Sequence, residues 1–293
     1  MDKTMVHLNG DIDYAVTDVG EGPPVLLLHG FPDTAALWRH QIPCLVDAGY
    51  RVIAPDLRGF GDSSRPDGVH NYEMLKLVGD ISSLLRRLGV ARAHVVGHDW
   101  GAALAWVVAA GMPSTVDHLV CLSVGHPLAY SAPSLEQRAA SWYILLFQFE
   151  GVAETLLTRD NWRLFREMMR AHGLDDQTIG AQVADLRRPG ALTAALNWYR
   201  ANRHPRAEIE AVARLPFVRS PTLSIWGSGD VAMLEDAVLA SSAFVQGPWR
   251  YESIPGGGHW IPLSRPDRVN QLLLEFLGSQ ETEPAVRRVR RSY

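Results

Sequence analysis

The sequence predicts an α/β fold in which a mostly parallel, doubly wound sheet is flanked by helices and carries an inserted all-helical cap. Strand-like and helix-like stretches alternate up to residue 125, which is typical of such a sheet. Residues 24–28 form the continuous apolar run PVLLL, as expected for a strand buried on both faces. Residues 126–215 then show helical patterns without a convincing strand, and the alternation returns at residue 222.

Composition limits the classes of function. The chain has 293 residues, of which 47% are hydrophobic and 20% charged, enough for one large core and an inserted subdomain. A formal net charge of −4 argues against nucleic acid as the main partner. The first residues lack a signal pattern and no apolar run reaches ~18 residues, so we expect a cytoplasmic protein without a membrane span. The two cysteines, Cys44 and Cys121, have apolar neighbours and are expected to be buried free thiols of a reducing compartment.

The first half of the chain is predicted to contain five strands and three helices. The strands are expected at residues 12–19, 24–28, 50–56, 93–97 and 116–124. The helices are expected at residues 37–48, 72–88 and 101–112. The second of these has the clearest helical spacing, because its apolar residues recur on one broad side.

The insertion and the last part of the chain complete the predicted organisation. Helical patterns in the insertion cover residues 141–150, 153–157, 162–171, 176–185 and 192–200. Strands follow at residues 222–226 and 251–254, and a last helix at residues 266–277. We therefore divide the chain into a core (residues 1–128 and 216–279), a helical cap (129–215) and a polar, basic tail (280–293) expected to be disordered and solvated. Such a cap suits chemistry that needs an enclosed, dry pocket.

The chain is organised around a sharp strand-to-helix turn, Gly97-His98-Asp99-Trp100-Gly101. In the serine version of this elbow, glycines flank the nucleophile because the tight turn leaves no room for Cβ atoms. The residue presented here is Asp99. The alternative is that Asp99 only caps the following helix.

Other polar signals also follow predicted strands, and functional groups of a parallel sheet gather at the carboxyl ends of its strands. His29-Gly30-Phe31-Pro32 follows the strand at 24–28, Asp230 follows the strand at 222–226, and His259 follows the strand at 251–254. Asp99, Asp230 and His259 thus stand in the order nucleophile, acid, histidine. For Asp230 or His259 taken alone, a surface-loop position is the alternative, and for His259 also a core histidine with its hydrogen bonds satisfied.

These motifs together resemble the α/β-hydrolase superfamily and, within it, the soluble epoxide hydrolases. The resemblance is carried by HGFPD at residues 29–33, YRVIAPDLRGFGDSS at 50–64, GHDWGA at 97–102 and GHW at 258–260. Within the insertion, WYILLFQ at 142–148 and LNWYR at 196–200 are similar to the cap segments that carry the family's tyrosines. The similarity extends from about residue 8 to 278 and implies the α/β-hydrolase fold.

An aspartate nucleophile also restricts the chemistry. A carboxylate is suited to displacement at a saturated carbon, which leaves an ester on the enzyme. The electrophile must then carry a leaving group, either an epoxide oxygen or a halide. An epoxide oxygen leaves as an alkoxide and needs acidic hydrogen-bond donors, whereas a halide leaves as a stable anion. The resemblance places two such donors, Tyr143 and Tyr199, in the cap; for a lone tyrosine, core packing is the alternative.

The resemblance implies that Asp99 attacks the epoxide and that His259, oriented by Asp230, activates water to hydrolyse the ester. The backbone N–H groups of Phe31 and Trp100 are expected to form the oxyanion hole. The substrate is expected to be a small hydrophobic epoxide, converted to a vicinal diol. Its predicted contacts are Phe31, Pro32, Trp100, Tyr143, Phe147 and Tyr199.

We expect no cofactor and no metal, since the glycine run at residues 256–258 lacks the Lys-Ser/Thr of a phosphate-binding loop. Monomer and homodimer are both open.

Two other functions stay open. The first is a dehalogenase of the same superfamily, in which an indole at the position of Trp100 contacts the halide. Phe31 stands where haloalkane dehalogenases place Asn or Glu; fluoroacetate-type enzymes have Phe there but are expected to have Arg after the aspartate. The second is a non-catalytic ligand-binding protein, which the intact set of Asp99, Asp230 and His259 disfavours. An esterase is weaker still, because no serine occupies the elbow.

Overall fold

The computed structural model describes residues 2–131, 133–202 and 216–279, in which eight strands form one sheet. The strands are β1 (Thr4–His7), β2 (Asp13–Val19), β3 (Pro24–Leu28), β4 (Arg51–Pro55), β5 (Ala93–His98), β6 (Val116–Leu122), β7 (Thr222–Gly227) and β8 (Trp249–Ile254). Their order is β1-β2-β4-β3-β5-β6-β7-β8. The pairs β1–β2 and β2–β4 are antiparallel, and every other pair is parallel. The predicted mostly parallel sheet is therefore confirmed.

The core helices of the first half are α1 (Gln41–Asp47), α2 (Met74–Arg87) and α3 (Trp100–Gly111). The helix predicted at residues 37–48 is shorter, because the 3₁₀ turn Ala35–Trp38 precedes it. Pro43 lies in the first turn of α1, where a missing N–H breaks no helical hydrogen bond. Helix α3 packs on β3, β5 and β6, so its alanine-rich surface is buried throughout.

Between β6 and β7 the described chain forms helices and no strand. They are α4 (Leu135–Ala140), α5 (Tyr143–Phe147), α6 (Val152–Ala171), α7 (Asp176–Leu186) and α8 (Ala191–Ala201). The helix predicted at 141–150 is only the short α5, and α4 lies before the predicted range. Helix α6 is interrupted at residues 159–162, three of which have positive φ, close to the predicted break between residues 157 and 162.

The last part of the chain adds α9 (Glu235–Ala240), α10 (Ile261–Ser264) and α11 (Pro266–Leu277), the last at its predicted position. The cap boundary expected at residue 215 and the basic tail lie outside the described residues. The division into core and cap stays a prediction. Of the two cysteines, both free thiols, Cys121 is buried but Cys44 is only half-buried, so its predicted burial was wrong. Within the described ranges, no helix is long and apolar enough to cross a membrane.

The helices α4 to α8 are called the cap from here on, and two of them contact loops that follow strands of the sheet. The indole N–H of Trp198 in α8 donates to the carbonyl of Arg58, at 2.9 Å. The amide of Gln137 in α4 donates to the carbonyl of Ala232 at 2.8 Å and accepts from the N–H of Leu234 at 2.9 Å. The cap is thus attached to the core beside the loops that follow β4 and β7.

Candidate active site

Asp99 occupies a strained turn between β5 and α3, with a φ of 53° and a ψ of −125°. A Cβ atom on Gly101 would lie 2.0 Å from the carbonyl oxygen of Leu28, and one on Gly97 would lie 2.3 Å from that of Gly101. Both flanking glycines are therefore required for the close approach of β3, β5 and α3. The side chain of Asp99 makes no helix-capping hydrogen bond, so the capping alternative was wrong.

Two backbone N–H groups reach the carboxylate of Asp99. The N–H of Phe31 donates to Oδ1 of Asp99 at 2.8 Å, and the N–H of Trp100 also contributes a hydrogen bond. A Cβ on Gly30 would lie 2.2 Å from Oδ1 of Asp99 and 2.6 Å from the nitrogen of Trp100, so only glycine leaves this space open. The structure thus brings both predicted oxyanion-hole groups to the carboxylate.

His259 lies between two carboxylates. Its Nδ1 is 2.7 Å from Oδ2 of Asp230, and its Nε2 is 3.4 Å from Oδ2 of Asp99. The other oxygen of Asp230 accepts from the N–H groups of Ala232 at 2.8 Å and Met233 at 3.0 Å. His259 and Asp230 are only 3% and 6% exposed, so a surface-loop position is wrong for both.

The electrostatics of this arrangement keep a positive charge between the two carboxylates. Burial alone would lower the pKa of His259, but the charges and hydrogen bonds of Asp230 and Asp99 raise it to about 10. Burial raises the pKa of Asp99, but the hydrogen bond and charge of His259 outweigh it, and the pKa of Asp99 lies below its usual value. At neutral pH the imidazole of His259 in the free protein is therefore protonated and the carboxylate of Asp99 is ionised.

The backbone of His259 is fixed as well. Its carbonyl oxygen accepts from the hydroxyl of Ser123 at 2.7 Å and lies 2.9 Å from Nε2 of His98. Burial and the charge of His259 lower the pKa of His98 to about 4, so His98 is neutral and its Nε2–H donates this bond. The ends of β5 and β6 thus hold the histidine loop in place.

A cavity of about 20 Å³ brings the candidate residues together. It is lined by Phe31, Asp99, Tyr143, Met168, Met169, His172, Tyr199, Ala232, His259 and Trp260. The volume is about that of one water molecule, so side chains of the cap must move to admit an organic substrate.

The two tyrosines that line this cavity come from different cap helices. Tyr143 begins α5 and Tyr199 lies near the end of α8, and their ring centroids are 6.3 Å apart. Burial, followed by the charge of Asp99, raises the pKa of both phenols well above the usual value. Both hydroxyls therefore stay protonated and can donate hydrogen bonds over the physiological range of pH.

Three of the predicted substrate contacts, Pro32, Trp100 and Phe147, are not part of the cavity lining. Phe147 is fully buried, with its ring centroid 4.9 Å from that of Tyr199 and 5.5 Å from that of Phe31. The indole of Trp100 stands edge-on to Tyr199 at 5.1 Å. Phe147 and Trp100 support lining residues from behind, and direct substrate contact by these three residues stays a prediction.

No role is predicted from the sequence for the remaining residues of the cavity lining. Trp260 had a local signal, since it follows His259 directly, and Asp33, described below, ends the HGFPD motif. Met168, Met169 and His172 lie in or just after α6 and reach the cavity only through the packing of the cap. In the described part of the chain, no group of three or more His, Cys, Asp or Glu side chains could hold a metal ion.

Comparisons with known proteins agree with this geometry. Residues 23–266 match the family model for the alpha/beta hydrolase fold. The chain is 34% identical to epoxide hydrolase A of Mycobacterium tuberculosis, over 95% of this chain and 98% of that protein. It is 37% identical to epoxide hydrolase 3 of Xenopus tropicalis, over 90% of this chain and 74% of that protein. The crystal structure of epoxide hydrolase A from Mycobacterium thermoresistibile is similar, with a TM-score of 0.84 and 32% identity, and the match covers 96% of this chain and 99% of that one.

Proposed function

Because this chain belongs to the epoxide hydrolases of the α/β-hydrolase family, we propose that it adds water to a hydrophobic epoxide through an ester formed on Asp99. The observation that carries the proposal is the shared cavity. Asp99, His259 and the two phenols Tyr143 and Tyr199 line the same cavity. A carboxylate nucleophile and two acidic donors are the groups that opening of an epoxide ring requires.

In the first step, the Asp99 carboxylate displaces the ring oxygen. Its Oδ1 is occupied by the N–H of Phe31, so Oδ2 is the oxygen available to attack a ring carbon. A carbon–oxygen bond forms to Oδ2 as the ring carbon–oxygen bond breaks. The departing alkoxide takes a proton from Tyr143 or Tyr199 and becomes the first hydroxyl of the diol.

Ester formation then changes the state of His259. The charge of Asp99 is one of the causes that raise the pKa of His259, and the ester removes this charge. The pKa of the imidazole falls, and the proton it releases restores the tyrosine that was deprotonated in the first step. His259 becomes a neutral base held in one tautomer by Asp230.

In the second step, His259 takes a proton from a water molecule as that water attacks Cγ of Asp99. The negative charge develops on Oδ1, which the N–H groups of Phe31 and Trp100 stabilise. Collapse breaks the bond between Cγ and Oδ2, and His259 gives its proton to Oδ2, which leaves with the substrate as the second hydroxyl of the diol. The new carboxylic acid of Asp99 returns its proton to His259, which completes the cycle.

A substrate panel tests the reaction type. Styrene oxide and small aliphatic epoxides are assayed for diol, and chloroalkanes and haloacids are assayed for halide. We expect diol formation and no halide release, because Trp100 does not line the cavity in which a halide would depart. Halide release without diol formation would establish the dehalogenase, and epoxide binding without turnover would establish a non-catalytic binding protein.

Labelled water tests the ester. Because the hydroxyl of water adds to Cγ of Asp99, repeated turnover in ¹⁸O-water should place ¹⁸O in the peptide that contains Asp99. The diol of a single turnover should carry oxygen from the enzyme. Label in the first diol but never in the Asp99 peptide would show direct attack of water on the epoxide.

The carboxylates, imidazole and phenols supply every group that the two steps use, so no cofactor is required. The two free thiols are compatible with a cytoplasmic location. We propose a monomer or a homodimer, which light scattering distinguishes.

A further inference from the structure

Asp33 is a buried carboxylate beside the site to which the two steps above give no role. It lies two residues after Phe31 and is only 7% exposed. Its Oδ2 accepts from the indole N–H of Trp260 at 2.6 Å, and its Oδ1 accepts from the side-chain amide of Gln182 at 2.8 Å. Trp260 follows His259, and Gln182 belongs to α7 of the cap. One carboxylate therefore connects three parts of the structure: the turn that carries Phe31 (the oxyanion turn), the loop that carries His259 (the histidine loop) and the cap.

We propose that Asp33 is a positioning residue, which fixes Trp260 and through it the imidazole of His259 relative to the oxyanion turn and the cap. The inference rests on the proposed function, since its effect is measured on hydrolysis of the Asp99 ester.

The indole of Trp260 is the part of this connection that touches His259. Its ring stands edge-on to the imidazole, with centroids 4.9 Å apart and an interplanar angle of 76°. The ring of His172, from the cap, lies 5.3 Å away and edge-on to the same indole. Trp260 is 3% exposed and lines the cavity. Its hydrogen bond to Asp33 therefore fixes the orientation of the indole that packs against the imidazole of His259. Catalytic groups must be held within ~0.5 Å and ~10–20° of their working geometry.

The charge of Asp33 suits this role at the pH of an assay near 8. Burial, and to a smaller extent the charge of Asp99, raises the pKa of Asp33 to about 6. The hydrogen bonds from Gln182 and Trp260 and the charge of Arg39 act in the opposite direction. Above that pH the group is an ionised acceptor for both N–H donors. Hydrogen bonds to a charged acceptor are shorter and stronger than those between neutral groups.

The chain also offers a conservative replacement. The Oε1 atom of Gln182 is buried and has no partner among the described residues. An asparagine at position 33 can accept from Trp260 with its oxygen and donate its amide to a turned Gln182, so both connections are kept. An alanine at position 33 loses both.

The experiment is rapid-quench single turnover of styrene oxide at pH 8, in which the ester on Asp99 is followed by mass spectrometry. Asp33→Ala and Trp260→Phe should each slow hydrolysis of the ester about tenfold, because both remove the hydrogen bond between Asp33 and the indole of Trp260. The rate of ester formation should change by no more than about twofold, because this step does not use His259 as a base. The double variant should be no slower than either single one, because both changes break the same link, and Asp33→Asn should restore hydrolysis.

A matched control separates positioning from packing. The buried indole N–H of Trp106 donates to the carbonyl of Val124 at 3.3 Å, and Trp106→Phe removes this donor. This variant should lower Tm without changing the ratio of the rates of ester formation and ester hydrolysis. If Asp33→Ala and Trp260→Phe slow both steps equally, or if their effects on ester hydrolysis multiply, Asp33 contributes packing only and the proposal is overturned. If Asp33→Ala does not fold, Trp260→Phe alone decides. Absence of an ester in the wild-type protein would instead overturn the proposed function, before any variant is compared.

Discussion

Nδ1 of His259 lies 2.7 Å from Oδ2 of Asp230, whereas its Nε2 lies 3.4 Å from Oδ2 of Asp99. The short contact fixes the tautomer and the rotation of the ring. The longer one directs Nε2 to the oxygen that carries the substrate in the proposed ester. A base in this position is useful only after Asp99 has reacted, so the histidine should matter for the second step more than for the first.

Replacement of the base should therefore trap the intermediate. In His259→Gln, hydrolysis of the ester should fall by about 10²–10⁴, the usual loss when a general base is removed. The protein incubated with styrene oxide should gain the mass of one substrate molecule, located on the peptide that contains Asp99.

The control is Asp99→Ala, alone and combined with His259→Gln. Neither protein should form diol or gain mass, because the nucleophile is absent. Normal turnover by His259→Gln, or an adduct in the double variant, would contradict the two-step mechanism.

The same histidine should make stability depend on alkaline pH. In the folded protein the pKa of His259 is raised from 6.5 to about 10, chiefly because the carboxylates of Asp230 and Asp99 oppose the effect of burial. A raised histidine pKa contributes stability that is fully present below pH 6.5 and is lost as the pH rises through 10. The free energy of unfolding in urea should fall over that range, and it should fall less in His259→Gln. His40→Gln, at an exposed position, should show the wild-type slope.

The residues that the sequence predicts and those that it misses differ in a physical way. Asp99 and Asp230 each follow a fully buried strand whose apolar residues make it recognisable. His259 follows the half-buried strand β8 and is located by the motif Gly258-His259-Trp260. Strand β1 was not predicted. Three of its four residues are exposed, so its sequence lacks the alternation of apolar and polar residues that indicates a buried strand. The hydrogen-bond partners of Asp33, Gln182 and Trp260, lie 149 and 227 residues further along the chain. A local sequence pattern cannot predict contacts between residues so far apart.

Loss of the phenols should affect ring opening only. Tyr143→Phe or Tyr199→Phe leaves one donor for the alkoxide, so ester formation should slow about tenfold in each, and about 10³-fold in the double variant. Hydrolysis of an ester that does form should be unchanged within about twofold. Rapid-quench measurement of both steps checks this.

The matched control is Tyr251→Phe. Tyr251 lies on β8, at the edge of the sheet, and its hydroxyl donates to Glu235 of α9. Its two rates should equal those of the wild type. An unimpaired double variant would remove Tyr143 and Tyr199 from the mechanism.

A single methyl group should test the oxyanion hole. In Gly30→Ala the new Cβ would lie 2.2 Å from Oδ1 of Asp99, 2.5 Å from its Cβ and 2.6 Å from the nitrogen of Trp100, distances that force the nucleophile or the turn to move. Activity should fall at least 10²-fold, the usual effect of losing one oxyanion-hole donor. Gly79→Ala is the matched control, because Gly79 is exposed in α2 and its added Cβ would meet nothing within 4 Å. That variant should keep full activity and gain about 0.5–1 kcal/mol of stability, since alanine favours a helix interior over glycine. Wild-type diol formation by Gly30→Ala would show that the carboxylate of Asp99 and the two N–H groups do not work in the arrangement described above.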